Sequence, residues 1–328
     1  MVLVLGGAGY VGSHTVRLLS ELGRKYIVYD NLSTGHKGAV DASLLVKGDI
    51  LDKQSLVNVM REYNVDSVMH FAASSLVSES VSNPELYYTN NVYGTLNILS
   101  AMREAGVKNI VFSSTAAVYG DCSAMPITEE TVTFPINPYG KTKLAVEFML
   151  KDFCNAYGIK NVVLRYFNAA GAHKSGEIGE DHFPETHLIP NMLRSLTGVG
   201  GGFTVFASKD FKGDGTCIRD YVHVSDLASA HVLALDYLLG GGESKIYNLG
   251  SGVGYSVNEI IAAAEGVTGI KVEYEQKGYR AGDPYILVAS AEKIEKELGW
   301  ERKYSSLENI ISTAWQWHYN RRNGYEDR

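Results

Sequence analysis

The chain opens with Met1-Val-Leu-Val-Leu-Gly-Gly-Ala-Gly-Tyr-Val-Gly12, a short apolar run that ends in a glycine-rich turn. The apolar run predicts a buried strand, and the turn predicts the start of a helix. Gly6, Gly9 and Gly12 recur every third residue, which lets the backbone approach a ligand closely and aims the N–H groups of the helix start at a phosphate. A glycine-rich turn alone is equally consistent with a tight loop, so the next segment decides between the two readings.

A second predicted strand, Ile27 to Asp30, ends in a carboxylate eighteen residues after Gly12. This is near the spacing at which a strand-end carboxylate binds the ribose hydroxyls of a dinucleotide. A carboxylate at that position repels a 2′-phosphate, which favours NAD over NADP. The alternative reading of Asp30 is an ordinary strand-end cap.

Strands and helices alternate from the N-terminus to about residue 168. Further strands are predicted over 44–46, 66–71, 109–113 and 161–166, with helices between them, including a long one over 84–105. This order predicts an α/β fold, a Rossmann-type doubly wound parallel sheet whose ligands bind at the carboxyl ends of the strands. After residue 168 the loops lengthen and glycine clusters appear. We therefore expect an NAD-binding domain over 1–168 and a smaller, partly interleaved substrate lobe over 169–328.

One helix start carries two side chains suited to chemistry, in Asn137-Pro-Tyr-Gly-Lys-Thr-Lys143. Asn137 is a good N-cap and Pro138 suits the first helical position, so Tyr139 and Lys143 share a helix face. A tyrosine acts as a base at neutral pH only if its pKa falls by ~3 units, which requires roughly 4 kcal/mol. An ammonium about 5 Å away supplies roughly 3 kcal/mol of this. A surface Tyr and Lys is the plainer reading of the motif by itself.

Composition limits the class of protein. With 328 residues, 45% hydrophobic residues and a net charge of −7, the chain is long enough for a large core and lacks the basic balance of a nucleic-acid-binding protein. The three cysteines show no metal spacing, which indicates a reducing compartment, and we expect no metal site. The longest uncharged run, 86–102, contains three asparagines, so we expect a cytoplasmic protein with no membrane segment.

Several strings that occur in order along nearly the whole chain carry a resemblance to a known family. They are GGAGYVGSHT, HFAAS, NNVYGT, FSST, NPYGKTK, LRYFNAAGA, GTCIRDYVHV, YNLGSG and RAGD. Together they resemble the extended short-chain dehydrogenase/reductase family and, within it, the 4-epimerases that interconvert UDP-glucose and UDP-galactose in galactose metabolism. No single string is specific, but the combination is.

The resemblance implies a mechanism and its residues. NAD would remain bound as a catalyst while Tyr139 takes the proton of the sugar C4 hydroxyl and hydride leaves C4. Lys143 would lower the pKa of Tyr139, and Thr115 would hydrogen-bond the sugar oxygen. The flat 4-keto intermediate would then turn over and be reduced on its other face. The family also implies a homodimer that pairs the helix from Pro84 and the Tyr139 helix with their copies.

The resemblance also implies binding residues at matching positions. Beside Tyr139 and Lys143, those for the cofactor are Gly6, Gly9, Tyr10, Val11, Gly12, Asp30, Asn31, Thr34, Gly35, Asp49, Ile50, Phe71, Ala72, Ala73, Asn90, Ser113 and Phe167. Beside Thr115 and Tyr139, those for the UDP-sugar are Asn168, His187, Leu188, Thr204, Val205, Phe206, Arg219, Tyr221, Arg280, Asp283 and Leu287.

Two positions depart from the pattern of some relatives. His187 stands where an asparagine contacts the substrate, and Leu287 stands where a tyrosine narrows the sugar pocket. A smaller residue at 287 leaves room for an N-acetyl group, so UDP-N-acetylhexosamines are possible substrates.

Other functions stay open on sequence. Nucleotide-sugar 4,6-dehydratases carry an Asp-Glu pair where this chain has Ala116 and Ala117, which weakens that alternative. Decarboxylating relatives and epimerases of other UDP-sugars remain alternatives. A non-catalytic NAD-binding regulator would be expected to have lost Thr115, Tyr139 or Lys143, and all three are present.

Overall fold

The structure is a computed structural model that describes residues 1–122, 125–199, 201–278 and 284–326. Its strands in chain order are β1 (Val2–Leu5), β2 (Tyr26–Asp30), β3 (Leu45–Lys47), β4 (Ser67–His70), β5 (Asn109–Thr115), β6 (Lys160–Tyr166), β7 (Asn168–Ala170), β8 (Phe203–Ala207), β9 (Ile218–His223), β10 (Lys245–Leu249), β11 (Gly254–Ser256), β12 (Tyr274–Gly278) and β13 (Ile286–Leu287).

The helices alternate with these strands. They are α1 (Tyr10–Glu21), α2 (Lys53–Glu62), α3 (Val77–Ser82), α4 (Pro84–Tyr87), α5 (Gly94–Ala105), α6 (Pro138–Tyr157), α7 (Leu188–Leu196), α8 (Val224–Leu239), α9 (Val257–Thr268), α10 (Glu292–Leu298) and α11 (Leu307–Asn320). No helix in the described part of the chain has both the length and the hydropathy needed to cross a bilayer.

Seven parallel strands form the main sheet, in the order β10-β6-β5-β4-β1-β2-β3. The chain builds outward from β1 to β2 and β3, then returns to the other side of β1 with β4, β5 and β6. The strand order reverses at β1 and β4, which is where open α/β sheets bind their ligands. The predicted doubly wound Rossmann-type sheet is confirmed.

Helices cover both faces of this sheet, as the side chains of β1 show by packing alternately into two core clusters. Val2 and Val4 belong to a core cluster with residues of α1 and α8, whereas Leu3 and Leu5 belong to one with residues of α2, α5 and α6. Successive side chains of a strand point to opposite faces, so β1 contributes to both cores. Both α8 and β10 come from the second half of the chain, yet they complete the main sheet.

The helix predicted over 84–105 is interrupted. Between α4 and α5 the chain makes a π-helical turn, Tyr88–Tyr93, and α3 precedes it as an element that the sequence analysis did not predict. The wider turn brings Asn91 into a buried position, where its side chain accepts from the Ser74 N–H (2.9 Å) and donates to the Thr142 hydroxyl of α6 (3.2 Å). This pairing gives a physical reason for the irregular turn, a kind found often near functional sites.

A smaller sheet lies beyond the main one. Here β9 pairs with β7, β11 and β13, and β8 pairs separately with β12. The sequence pattern also predicts a strand near 270–274, but its bounds are wrong, since β12 begins at Tyr274. Val272 is buried in the core of this region and its N–H donates to the Glu265 carboxylate (2.9 Å), which keeps the segment before Tyr274 out of the ladder.

Candidate active site

The helix that carries Tyr139 and Lys143 begins where its sequence predicts. The Asn137 side chain accepts from the Gly140 N–H (2.8 Å), and Pro138 takes the first helical position. An N-cap and an N-terminal proline together define the register of the first turn. Tyr139 and Lys143 therefore lie one turn apart on the buried face of α6, and both are more than nine-tenths buried.

Three predicted catalytic side chains meet at the carboxyl end of β5. The Lys143 ammonium donates to the Ser113 carbonyl (2.9 Å) and lies 5.9 Å from the centre of the Tyr139 ring. Thr115 is the last residue of β5, and its side chain lies close enough to the Tyr139 phenol to lower the pKa of that phenol in part. A phenol, an amine and a hydroxyl are thus gathered at one strand end.

The electrostatics of this group differ from the expectation. Burial raises the pKa of Tyr139 to about 12, although hydrogen bonding with Thr115 lowers it in part. Burial also lowers the pKa of Lys143 to about 7, against the Glu147 carboxylate, which raises it. The lowered tyrosine pKa predicted from the sequence assumes that Lys143 is fully charged and lies in a polar medium. In the protein both groups are desolvated, and desolvation outweighs the attraction between them.

Glu147 is a functional candidate that the sequence analysis missed. It follows Lys143 by four residues, so the spacing that joins Tyr139 to Lys143 also extends to it. Its buried carboxylate pairs with Arg165 of β6 (2.5 Å) and accepts from the Ser114 hydroxyl (2.6 Å). This buried ion pair ties α6 to β5 and β6, the two strands next to the catalytic group.

The glycine turn after β1 has the shape that a dinucleotide requires. Gly6 has a φ of +74°, and a Cβ there would lie 2.4 Å from the Ala72 backbone nitrogen, so the turn fits against the chain after β4 only as glycine. Gly9 caps α1 without a side chain, and the first turn of α1 carries no acidic residue. The first N–H groups of α1, those of Tyr10, Val11 and Gly12, thus face no competing side-chain cap.

The end of β2 supplies the predicted ribose-binding carboxylate. Asp30 is buried and accepts from the N–H groups of Ala8 (2.9 Å) and Leu32 (2.8 Å), which leaves lone pairs on both oxygens. Burial raises its pKa, against these two hydrogen bonds, which lower it. Asn31 donates to the Asp49 carboxylate (2.9 Å), so two predicted adenosine contacts lie side by side. The residues present fit a dinucleotide.

The remaining predicted cofactor residues lie along the same edge of the sheet or beside it. Gly35 packs against Ala8, and Ile50 packs beneath Gly94 of α5. Phe71 and Ala72 donate through their N–H groups to the Leu5 carbonyl. The others are Thr34 in the loop after β2, Ala73 after β4, Asn90 in the π-helical turn, Ser113 on β5 and Phe167 after β6.

The smaller sheet brings together four predicted substrate residues. In its register Asn168 of β7 faces Tyr221 of β9, and Arg219 of β9 faces Leu287 of β13. The Asn168 amide donates to the Asp220 carbonyl (2.9 Å), which fixes β7 to β9. Leu287 also packs with Ala116 and Phe167, so this sheet reaches the catalytic strand end.

The other predicted substrate residues occupy α7 and β8. His187 caps α7, Leu188 is its first residue, and Thr204, Val205 and Phe206 lie on β8. Val205 and Leu188 pack in one cluster with Tyr221, which connects these elements to the smaller sheet. Arg280 and Asp283 lie outside the described residues.

Known proteins resemble this chain over its length. The NAD dependent epimerase/dehydratase family matches residues 2–250. The UDP-glucose 4-epimerase of Halalkalibacterium halodurans is 51% identical over 99% of this chain and 97% of its own length.

Solved structures give the same result. The UDP-glucose 4-epimerase of Brucella ovis in complex with NAD superposes with a TM-score of 0.94 at 48% identity, covering 97% of this chain and 98% of that one. The UDP-glucose 4-epimerase of Bifidobacterium longum in complex with NAD+ and UDP superposes with a TM-score of 0.92 at 39% identity, covering 99% of each chain. The chain therefore belongs to the NAD dependent epimerase/dehydratase family, within which it is similar along its whole length to the UDP-glucose 4-epimerases.

Proposed function

We propose that this chain is an enzyme, an isomerase that interconverts UDP-glucose and UDP-galactose at C4 of the sugar with NAD as its bound cofactor. The observation that carries the proposal is the meeting of Thr115, Tyr139 and Lys143 at the end of β5, on the sheet edge that also holds the glycine turn. The relatives named UDP-glucose 4-epimerase, two of them solved with NAD or NAD+, support the same reaction and cofactor.

Each side chain of the catalytic group has a role that its position allows. Tyr139 accepts the proton of the C4 hydroxyl as oxidation proceeds and gives it back on reduction. Thr115 holds the same sugar oxygen through its hydroxyl, which already meets the Tyr139 phenol. Bound NAD supplies the acceptor for the C4 hydride and a positive ring that offsets the raised pKa of Tyr139.

Lys143 supplies a charge that depends on protonation. With a pKa near 7, its ammonium is partly neutral at physiological pH, and it stays anchored on the Ser113 carbonyl. A phenolate formed at Tyr139 favours the charged form of Lys143, because opposite buried charges stabilise each other. Glu147 favours the same form, so we propose it as a positioning residue behind Lys143.

A firm grip on UDP and a looser grip on the sugar suit a reaction in which the sugar must turn over. We assign the UDP contacts to Asn168, Arg219 and Tyr221 of the smaller sheet and to residues 204–206 of β8. Arg280 and Asp283 belong to the same proposal. The main-sheet half, 1–168, would bind the cofactor and the half from 169 the substrate, although α8 and β10 cross this division.

The sugar range depends on the pocket beside Leu287. This side chain is partly buried in a cluster with Ala116 and Phe167. Ala116 directly follows Thr115, the proposed catalytic residue. A leucine fills less space there than a tyrosine would, so the proposal extends to UDP-N-acetylhexosamines. Comparing turnover of UDP-galactose and UDP-N-acetylgalactosamine tests this extension, and no activity on the second substrate would refute it.

The dehydratase reaction needs proton-carrying groups directly after Thr115. A dehydratase must move protons at C5 and C6, but the residues after Thr115 are Ala116 and Ala117, which form a 3-10 turn capped by the Thr115 hydroxyl (3.1 Å to the Ala117 nitrogen). An alanine side chain cannot carry a proton. This local chemistry favours epimerisation over elimination.

We propose a homodimer formed through α4, α5 and α6. Tyr88 and Tyr93 of the π-helical turn and Phe148 of α6 are large side chains that are 45%, 53% and 59% exposed. Large exposed apolar side chains on neighbouring helices are a feature of interfaces. Sedimentation at micromolar concentration tests the dimer.

The three cysteines, all in described positions, form no disulfide, which supports a cytoplasmic location.

One preparation tests the central proposal. The protein is purified without added cofactor, denatured, and its supernatant analysed for NAD, while a second portion is assayed for interconversion of UDP-galactose and UDP-glucose. We expect close to one NAD per chain and turnover in both directions. Bound NAD without interconversion would refute the reaction but leave the cofactor assignment standing. The absence of both NAD and interconversion would refute the reaction and the cofactor together.

A further inference from the structure

Four metal-ligating side chains meet in the loop between β7 and α7. They come from Glu180-x-His-x-x-Glu-x-His187, and one ligand atom from each lies within 4.8 Å of the other three. None of these residues has a role in the proposed reaction except His187, which was assigned to the substrate. The cysteine spacing predicts no metal site, but it carries no information about these two histidines and two glutamates.

The separations inside this cluster suit a small cation. The Nδ1 of His182 lies 3.4 Å from the Glu180 Oε1 and 3.7 Å from the Glu185 Oε2, and the Nδ1 of His187 lies 4.0 Å from the Glu185 Oε1. Ligands about 2.0–2.1 Å from a tetrahedral zinc ion lie roughly 3.3 Å from each other. The side chains must therefore draw together to surround one ion, because the four ligand atoms are spread over as much as 4.8 Å.

Two buried atoms of the cluster lack hydrogen bonds. They are the Nδ1 of His182 and the Oε2 of Glu185, although Glu185 has only 3% of its side chain exposed. The other Glu185 oxygen accepts from the N–H groups of Thr186 (2.8 Å) and His187 (2.9 Å), which fixes the carboxylate and leaves Oε2 aimed at His182. A buried polar atom without a hydrogen-bond partner is costly, so these two atoms point to a ligand between them.

We propose that Glu180, His182, Glu185 and His187 bind a divalent transition-metal ion, with Zn²⁺ the best match to two imidazoles and two carboxylates. Zinc takes nitrogen and oxygen ligands in a closed four-coordinate site of this kind. The charges balance, because two neutral imidazoles, two carboxylates and M²⁺ sum to zero. The proposal does not depend on the reaction of the enzyme.

The position of the site indicates what the ion does. The Glu180 carbonyl accepts from the Trp317 indole of α11 (3.0 Å), and the His182 ring lies 6.3 Å from the Tyr10 ring at the start of α1. His187 caps α7 and uses Nδ1 in the cluster, so its half-exposed ring keeps Nε2 for a ligand. The ion would fasten this loop between the glycine turn and the predicted substrate residues of α7.

The test is a Zn²⁺ titration of the full chain after treatment with a chelator. We expect one Zn²⁺ per chain by elemental analysis and a rise in the thermal midpoint. E185Q keeps the shape of the side chain but removes a ligand, so its affinity should fall at least tenfold. E177Q is the matched control, because Glu177 is an exposed carboxylate in the same loop, and it should bind like the wild type.

A second variant keeps the proposal falsifiable if E185Q folds poorly. H187Q changes a ligand whose side chain is 53% exposed, so its folding should be unaffected while its Zn²⁺ affinity falls. Replacing Zn²⁺ with Co²⁺ adds a visible spectrum that reports four-coordinate nitrogen and oxygen ligation. If the wild type takes up no more Zn²⁺ than E185Q and H187Q, the cluster is an ion-pair network only and the proposal is overturned.

Discussion

Replacing Lys143 with methionine should change how stability depends on pH. Burial lowers the pKa of this lysine from 10.5 to about 7, so between these values the unfolded chain binds a proton that the folded protein does not. The free energy of unfolding therefore increases with rising pH, and this one group contributes up to about 1.4 kcal/mol per pH unit. Summed from pH 7 to pH 9, the gain is about 2 kcal/mol, and Lys143→Met should lose it.

The measurement is urea denaturation of nucleotide-free wild type and K143M at pH 7, 8 and 9. Taking the difference between the two proteins cancels the titrating groups that do not interact with Lys143. The control is Lys151→Met, which removes an exposed lysine of the same helix and should leave the pH dependence of the wild type unchanged. If the free energies of unfolding of wild type and K143M change in parallel between pH 7 and pH 9, Lys143 is fully charged in the folded protein. Burial would then not lower its pKa.

The other predictions concern the catalytic group and the cofactor site. Tyr139→Phe should retain bound NAD but lower turnover by at least ~100-fold, whereas Thr115→Val should cost roughly tenfold, because it deletes one hydrogen bond; near wild-type turnover of Y139F would remove that residue from the mechanism. Gly6→Ala should destabilise the protein to urea by about 3 kcal/mol and Gly106→Ala by only about 1–2 kcal/mol, since both have a positive φ but only Gly6 meets backbone at 2.4 Å. Equal losses would mean that the close approach at Gly6 relaxes freely. Asp30→Asn should reduce the preference for NAD over NADP on the order of tenfold, and an unchanged ratio from two binding titrations would count against a charge-based preference.

Much of the main sheet was predictable because its signals are local. The apolar strands, the glycine turn and the Asn137-Pro138 helix start each specify their own geometry within a few residues. Parallel strands then bring their carboxyl ends to one edge, so Thr115 and Tyr139 could be placed together without knowledge of the whole fold. The sequence pattern predicts that the helix from Pro138 continues to about Tyr157, and α6 has these bounds.

What sequence could not supply depends on long-range packing. The ion pair of Glu147 with Arg165 joins two elements whose partners no local pattern identifies. The pKa of Tyr139 was misjudged for a similar reason, since burial is a property of the assembled core. The π-helical turn reflects a contact of Asn91 with Ser74 and Thr142 that short-range propensity does not encode.

The strand β10 has a consequence for how this protein is made. It pairs with β6 at the edge of the main sheet, but it is synthesised only near residue 249, long after the other six strands. Until then a nascent chain on the ribosome exposes the hydrogen-bonding groups of β6 and the apolar face that α8 later covers. Completion of the main sheet must therefore wait for three quarters of translation, and a product truncated at 168 would be prone to aggregate.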